Sequence, residues 1–425
     1  MSTIQSPIPA YLEDLLEQVR DHDAGELADY IPQLKDAEPD RLALALCTVS
    51  GRVYSAGDSD VEFSIQSISK PFVYALALQE LGLEEVRHTV GMEPSGEAFN
   101  EMSLEKDTHR PLNPMINVGA IAVNQLINGP DSSVEDRVER IRSMFSEMAG
   151  RELSLDQDLV DAELSGADRN LSLAHMLANY GKITDEPHDA VLSYIRQCAI
   201  EVTVDDLAVM AATLGNGGIQ PVTGKRIFDT AVCRQTMAVM SAAGMYDQAG
   251  RWLAGVGIPA KSGVAGGLIG VLPGQLGIAT FSPRLNDAGN SVRGTALFHK
   301  LSNDMGLHLM NPIAQGTHAV RSIESHGSTT FITLQGTINF AAAERIMHEI
   351  QQYGFSGSTI YVDINRVVAV DPIARRMLAS AMKTMRDEDF NIGLYDPDER
   401  LNGLELSDGT EAPVVTSEDI DEATS

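Results

Sequence analysis

Residues 259–283, PAKSGVAGGLIGVLPGQLGIATFSP, restrict the fold more than any other stretch of the chain. Short β-rich runs alternate there with Gly and Pro punctuation, the pattern of antiparallel strands joined by tight turns. A second strand signal lies far upstream. RLALALCTVSGRVYSAGD, residues 41–58, reads as two short strands around a Ser50-Gly51 turn. Helical patterns fill the space between. SISKPFVYALALQELG is a strongly apolar helix ending near Gly82, and residues 117–215 are mostly helical. YLEDLLEQVRD, after Pro7 and Pro9, has apolar residues at helical spacing. Strands at both ends flanking a helical middle predict an α+β unit and not a regular βαβ winding.

This unit occupies residues 1–310. Near Leu307 to Gly316 the pattern changes, and a smaller α/β rhythm runs from 318 to 405: FITLQGTI as strand, AAAERIMHEIQQYG as helix, STIYVDI as strand, PIARRMLASAMKTMRDE as helix, NIGLYD as strand. About 90 residues suffice for an independent domain. Residues 406–425 are acidic and without a basic residue, and are expected to form a disordered tail.

With 43% hydrophobic residues the chain can bury a sizeable core. No apolar run is long enough to span a membrane, and the N-terminal residues lack the pattern of a secretory signal, so a cytoplasmic location is expected. Cys47, Cys198 and Cys233 lie far apart, without metal or disulfide spacing, and read as reduced core thiols. The net charge of −29, from 60 acidic against 31 basic residues, repels phosphate backbones and anionic lipid, which argues against nucleic-acid or membrane partners. Such a surface also suits a salty setting, where screening relieves self-repulsion, so salt tolerance is expected.

Ser67-Ile68-Ser69-Lys70 is the most informative motif. A Ser three residues before a Lys at a helix start puts both side chains on one face. A Lys desolvated among apolar neighbours acquires a lowered pKa and can take the hydroxyl proton, while the helix N-terminus favours developing negative charge. The spacing alone is weak, since Ser380-Ala381-Met382-Lys383 repeats it inside a helix with no Gly-rich partner strand. Lys261-Ser262-Gly263, on a Gly-interrupted strand, supplies that partner for Ser67. Ser-x-x-Lys with a later Lys-[Ser/Thr]-Gly strand is the pattern of penicillin-recognising serine enzymes.

The segments QSISKP, NPMINVGAI, ELSGADRN, QCAIEVTVDDLAVMAATLGNGG, GMYDQAG and PAKSGVAGG resemble the serine-dependent glutaminase family over about residues 10–305. The resemblance implies a β-lactamase/transpeptidase-like catalytic domain, an antiparallel sheet plus a helical subdomain, that hydrolyses L-glutamine to L-glutamate and ammonia. It implies Ser67 as nucleophile, Lys70 as base, Tyr246 as a second proton-transfer residue, and the backbone N–H groups of Ser67 and Val264 as the oxyanion hole, with Lys261, Ser262 and Gly263 in support. Tyr30, Asn117, Glu163, Asn170 and Tyr194 match the glutamine-binding positions. Glu163 suits an ammonium, and amides and phenols suit a carboxylate or an amide.

The ten histidines show no metal spacing, and there is no dinucleotide fingerprint or P-loop, so neither a metal nor a cofactor is expected. The small domain, through LQGTINFAAAERI and STIYVDINRVVAVDPIARRML, resembles the STAS family. Its turn reads Asp371-Pro372-Ile373-Ala374, without the hydroxyl that regulatory members phosphorylate. A homo-oligomer, dimer or tetramer, and an unidentified partner for this domain are expected. Two other readings compete: a different serine amidohydrolase, such as a penicillin-hydrolysing enzyme, and a non-enzymatic regulator carried by the STAS-like domain. Glu163 with Asn170 argues against the former, and the intact Ser67, Lys70 and Tyr246 set argues against the latter.

Overall fold

Leu44, Ala45 and Leu46 belong to a strand, β1 (Ala43–Thr48), buried on both faces. A continuous apolar run of this kind must lie at the centre of a sheet. β2 (Val53–Gly57) returns beside it, with Gly51 in the left-handed conformation the tight turn requires. The computed structural model describes residues 7–29, 31–95, 104–311, 319–355, 357–401 and 403–424. The chain divides into two units, Leu12–Lys300 and a second comprising Met1–Tyr11 with Leu301–Ser425.

In the first unit β5 (Ala260–Ser262), β6 (Gly267–Leu272) and β7 (Leu276–Phe281) complete a five-stranded antiparallel sheet of order β2-β1-β7-β6-β5. The short strands β3 (Phe63–Ser64) and β4 (Glu201–Val202) pair separately. Helix Val204–Gly215, buried all round, packs on the sheet and is started by a capping box of Thr203 and Asp206. Gly277 permits that approach, because a Cβ there would lie 2.3 Å from the backbone nitrogen of Ala212. The helical middle comprises Asn117–Asn124, Val134–Ala149, Gln157–Ser165, Asp168–Asn179 and Pro187–Cys198. Helix Ser69–Thr89 runs beyond its expected end, but its backbone does break at Gly82, where φ is 78°. The mixed α+β reading holds for this unit: five antiparallel strands with helices, in the order read from the sequence.

In the second unit β8 (Val320–His326), β9 (Thr329–Ile338), β10 (Thr359–Val370) and β11 (Asn391–Tyr395) form a sheet of order β11-β10-β9-β8. β9, β10 and β11 are parallel, joined by helices Phe340–Gln352 and Pro372–Asp387; β8 is antiparallel on the edge. The alternation of β10, with Ile360, Val362 and Ile364 buried, turns one face to these helices. Sequence reading missed β8, whose residues are mostly exposed and carry little apolar signal. The tail from 406 also departs from the expected disorder. Leu406 and Ala412 are buried, Val414 bridges to Leu394, and Ser417–Thr424 is helical. Sparse apolar residues among the acidic ones are enough to anchor it. No described helix is long and apolar enough to cross a membrane.

Candidate active site

Ser67 lies at the centre of a 3-10 turn, Gln66–Ile68, that leads directly into helix Ser69–Thr89. The turn is held from both sides. Ile65 N–H donates to the Ile200 carbonyl (2.8 Å), and Ser69 Oγ donates to the Gln66 carbonyl (2.6 Å). Gln66 has φ 49°, a left-handed backbone for a non-glycine residue. Such strain, about 1–3 kcal/mol, persists only where the surroundings over-determine it. Tyr246, which opens another 3-10 turn, is the second case at this site, with φ 56°.

One helical turn on, Lys70 is 1% exposed, and its Nζ donates to Asn117 Oδ1 at 2.7 Å. Burial lowers its pKa to about 8, with Lys261 pushing the same way and Tyr246 opposing. Lys261 is wholly buried. Its Nζ sits 4.0 Å from the centre of the Tyr246 ring and donates to the Ser262 carbonyl (2.7 Å); burial holds its pKa well below the lysine range. Neither ammonium meets a carboxylate among the described residues. A buried lysine without an anionic partner is readily neutral, and a neutral amine is a proton acceptor.

Ser262-Gly263-Val264 passes directly over the Ser67 turn. A Cβ on Gly263 would stand 3.1 Å from the Ile65 carbonyl and 3.4 Å from the Gln66 side chain, so a larger residue would push the strand away. Ser67 Oγ and the N–H groups of Ser67 and Val264 make no hydrogen bond among the described residues, and are available to a ligand.

The substrate-type residues gather on the helical side. Asn117 Nδ2 donates to Asn170 Oδ1 (3.2 Å), Tyr194 OH to Asn117 Oδ1 (3.4 Å), and Gln66 Nε2 to Glu163 Oε1 (2.6 Å). Burial pushes the Glu163 carboxyl up to about 7, a shift the Gln66 bond only partly offsets. Burial also raises the Tyr194 phenol and takes the Cys198 thiol up to about 12, making that thiol inert. None of the three cysteines is in a disulfide, and all are buried. Thus Ser67, Lys70, Asn117, Glu163, Asn170, Tyr194, Tyr246, Lys261, Ser262, Gly263 and Val264 converge on one locality; Tyr30 lies outside the described residues. Ser380 and Lys383 belong to the other unit, where Lys383 pairs with Asp387 on a partly exposed helix face. Sequence reasoning missed Gln66, whose side chain reaches Glu163. Its only signal was its place beside the serine. Among the described residues no group of His, Cys, Asp and Glu is arranged to hold a metal ion.

The family model described as Glutaminase matches residues 25–310. The chain belongs to the glutaminase family. It is 62% identical to a glutaminase of Corynebacterium glutamicum over 404 residues, 95% of this chain and 98% of the relative. Among solved structures, Mglu superposes with a TM-score of 0.72 at 47% identity, covering 93% of this chain and 99% of Mglu. A probable glutaminase, ybaS, superposes with a TM-score of 0.68 at 36% identity, over 71% of this chain and 99% of that one. The first relative and Mglu reach through the second unit, whereas the family model ends at 310. The chain is accordingly an enzyme, a glutaminase.

A carboxylate with no cation beside it among the described residues should show its ionisation in stability. Glu163 has a folded pKa near 7 against 4.5 for the ordinary group, so its ionisation opposes folding. The penalty is absent below about pH 4.5, grows as pH rises, and is complete above about 7. Glu163→Gln keeps an acceptor for Gln66 but cannot ionise. It should melt close to the parent at pH 4 and higher than the parent at pH 8.5, by a few kcal/mol at most at about 1.4 kcal/mol per pKa unit. Equal melting at both pH values would remove the buried carboxylate from the account.

Proposed function

We propose that the protein hydrolyses the side-chain amide of L-glutamine to L-glutamate and ammonia through a serine acyl-enzyme. The observation that carries the reading is Lys70, buried one turn from Ser67 with no carboxylate beside it among the described residues. Ser67 Oγ attacks the amide carbon while Lys70 takes the hydroxyl proton. The oxyanion is held by the N–H groups of Ser67 and Val264. As the C–N bond breaks, Tyr246 gives its proton to the leaving nitrogen, which departs as ammonia, and Lys70 returns a proton to Tyr246. Water then attacks the ester with Lys70 as base, the Ser67 C–O bond breaks, and Ser67 regains its proton.

Glu163 takes the substrate ammonium, which supplies the missing cation, while Asn117, Asn170, Tyr194 and Tyr30 take its carboxylate and orient the amide. Lys261, Ser262 and Gly263 hold the strand edge in place. Support comes from the polar chain Lys70, Asn117, Asn170 and Tyr194. A solved structure of Mglu is a glutamate form.

The reading extends to the whole chain. The parallel β9, β10 and β11 with their two helices favour a STAS-like domain at 318–405, joined to a catalytic domain at 1–310. The start of its second helix, Pro372-Ile373-Ala374, has no hydroxyl, so a docking role for subunits of a homo-oligomer or for another protein is preferred to a phospho-switch. The enzyme is taken to be cytoplasmic.

Three outcomes test this. Ammonia release should be rapid from glutamine, slow from asparagine and absent from a penicillin-type amide, and Ser67→Ala should reduce it at least a thousandfold, on the order of the loss when such a nucleophile is removed. Wild-type turnover by Ser67→Ala would exclude the acyl-enzyme. Deleting residues 318–425 should leave a folded protein that retains most of its turnover, since every proposed site residue lies upstream; a folded but inactive truncation would give the second unit a part in building the site. Salt supplies the third. Mutual repulsion of surface carboxylates is screened at molar salt, where the Debye length is about 3 Å. The melting temperature should therefore rise from low to molar sodium chloride with activity kept, and a fall in both would reject the expectation. Mglu itself has been solved in the presence of 4.3 M NaCl.

A further inference from the structure

The Tyr246 turn is tied to the strand β5 by two amides, Gln248 within that turn and Asn290 outside the motifs that carry the family resemblance. Tyr246 OH donates to the Ser262 carbonyl at 3.3 Å. Ser262 Oγ in turn donates to Asn290 Oδ1 at 2.6 Å, and Asn290 Nδ2 donates to Gln248 Oε1 at 3.3 Å. Gln248 closes the 3-10 turn that Tyr246 opens. The four residues therefore form a closed circuit: phenol to strand, strand to Asn290, Asn290 to Gln248, and Gln248 back along the backbone to Tyr246.

The circuit is anchored at Asn290. That residue is fully buried, and its own loop holds it: Asn286 N–H donates to the Asn290 carbonyl (2.9 Å), and Asn290 N–H and Ala288 N–H both donate to Asn286 Oδ1. A buried amide is costly unless its donors and acceptors are matched. Here the matching is spent on two segments that no ladder joins. Tyr246 needs such a restraint, since its left-handed backbone is an unfavourable conformation for an aromatic residue. Lys261 Nζ, 4.0 Å from the ring centre, bears on the face of the ring and not on the direction of the phenol O–H.

We infer that Asn290, acting through Gln248 and Ser262, is a positioning residue that sets the Tyr246 hydroxyl against the Ser67 turn. The inference rests on the reading of Tyr246 as the residue that protonates the departing ammonia. A misplacement of about 1 Å in such a group can cost on the order of a hundredfold in rate.

Gln248 gives the cleaner test, because it is half-buried and its replacement leaves the core intact. Gln248→Met preserves length and removes the acceptor; Gln248→Glu preserves the acceptor. With the full-length protein, Gln248→Met should lower kcat roughly tenfold to a hundredfold with KM within about twofold, and should shift the pH profile of kcat. Gln248→Glu should stay within about threefold of the parent. Adding Gln248→Met to Tyr246→Phe should cost nothing further, because the group being positioned is already gone. If Tyr246→Phe is slow while Gln248→Met turns over like the parent, or if the two losses multiply, the circuit is overturned and the role of Tyr246 stands. If Tyr246→Phe keeps parental kcat, the proton-transfer reading fails and the positioning role falls with it.

Discussion

Two lysine side chains, Lys70 and Lys261, are taken out of water with no carboxylate to meet them among the described residues, and the rest of the first unit is arranged around that fact. An isolated ammonium in an apolar interior is among the most expensive groups a fold can hold, and it commonly escapes by losing its proton. The surroundings make the neutral form useful. Lys70 keeps one hydrogen-bond partner, Asn117, and stands one turn from a serine whose hydroxyl makes no bond among the described residues. Lys261 keeps the Ser262 carbonyl and the face of Tyr246. Glu163 mirrors them with the opposite sign, a half-buried carboxyl with no cation beside it among the described residues. Each group is poorly satisfied alone, and the proposed function has a zwitterionic amino acid with a side-chain amide complement them together. The positive φ of Gln66 and Tyr246 adds backbone strain to the same small region. Stability is given up here for a site that needs little rearrangement when it reacts.

The fold was legible where periodicity speaks. The paired runs at 41–58 and 259–283 became β1, β2, β5, β6 and β7, and the apolar helix after Ser67 broke at Gly82 as its composition suggested. β8 was not legible, because an edge strand with exposed polar residues has no alternation to read. The order in the acidic terminus was hidden for a related reason: charge dominates its composition while Leu406 and Ala412 do the anchoring. In the site, Ser67 and Lys70 could be read from local spacing, and the glycines of 263–267 from the need for close approach. Glu163, Asn170 and Tyr194 could be read only through resemblance, since their meeting depends on helices far apart in sequence. Gln66 and Gln248 lie within QSISKP and GMYDQAG, but nothing there marks them as bridging amides, and Asn290 left no signal, because an amide that bridges two loops looks like any surface amide until the loops are brought together.

The charge of the chain acts on a different level from the site. Sixty acidic residues against 31 basic ones shape solubility and the response to salt, and they do so over the whole surface. Ser67 and Lys70 are buried, where screening by salt is weak. The two properties can therefore vary independently, and a change in surface charge leaves the surroundings of Ser67 and Lys70 in place.

The central claim is that Lys70 works as a neutral amine made available by burial. The most direct measurement is the pH dependence of kcat/KM for glutamine between about pH 6 and 9, which reports ionisations of the free enzyme. With Lys70 near 8 and Glu163 near 7, both needed without their protons, kcat/KM should climb through this range and level off above about 8.5. A profile that is flat across the range, or highest below pH 6, would contradict the account.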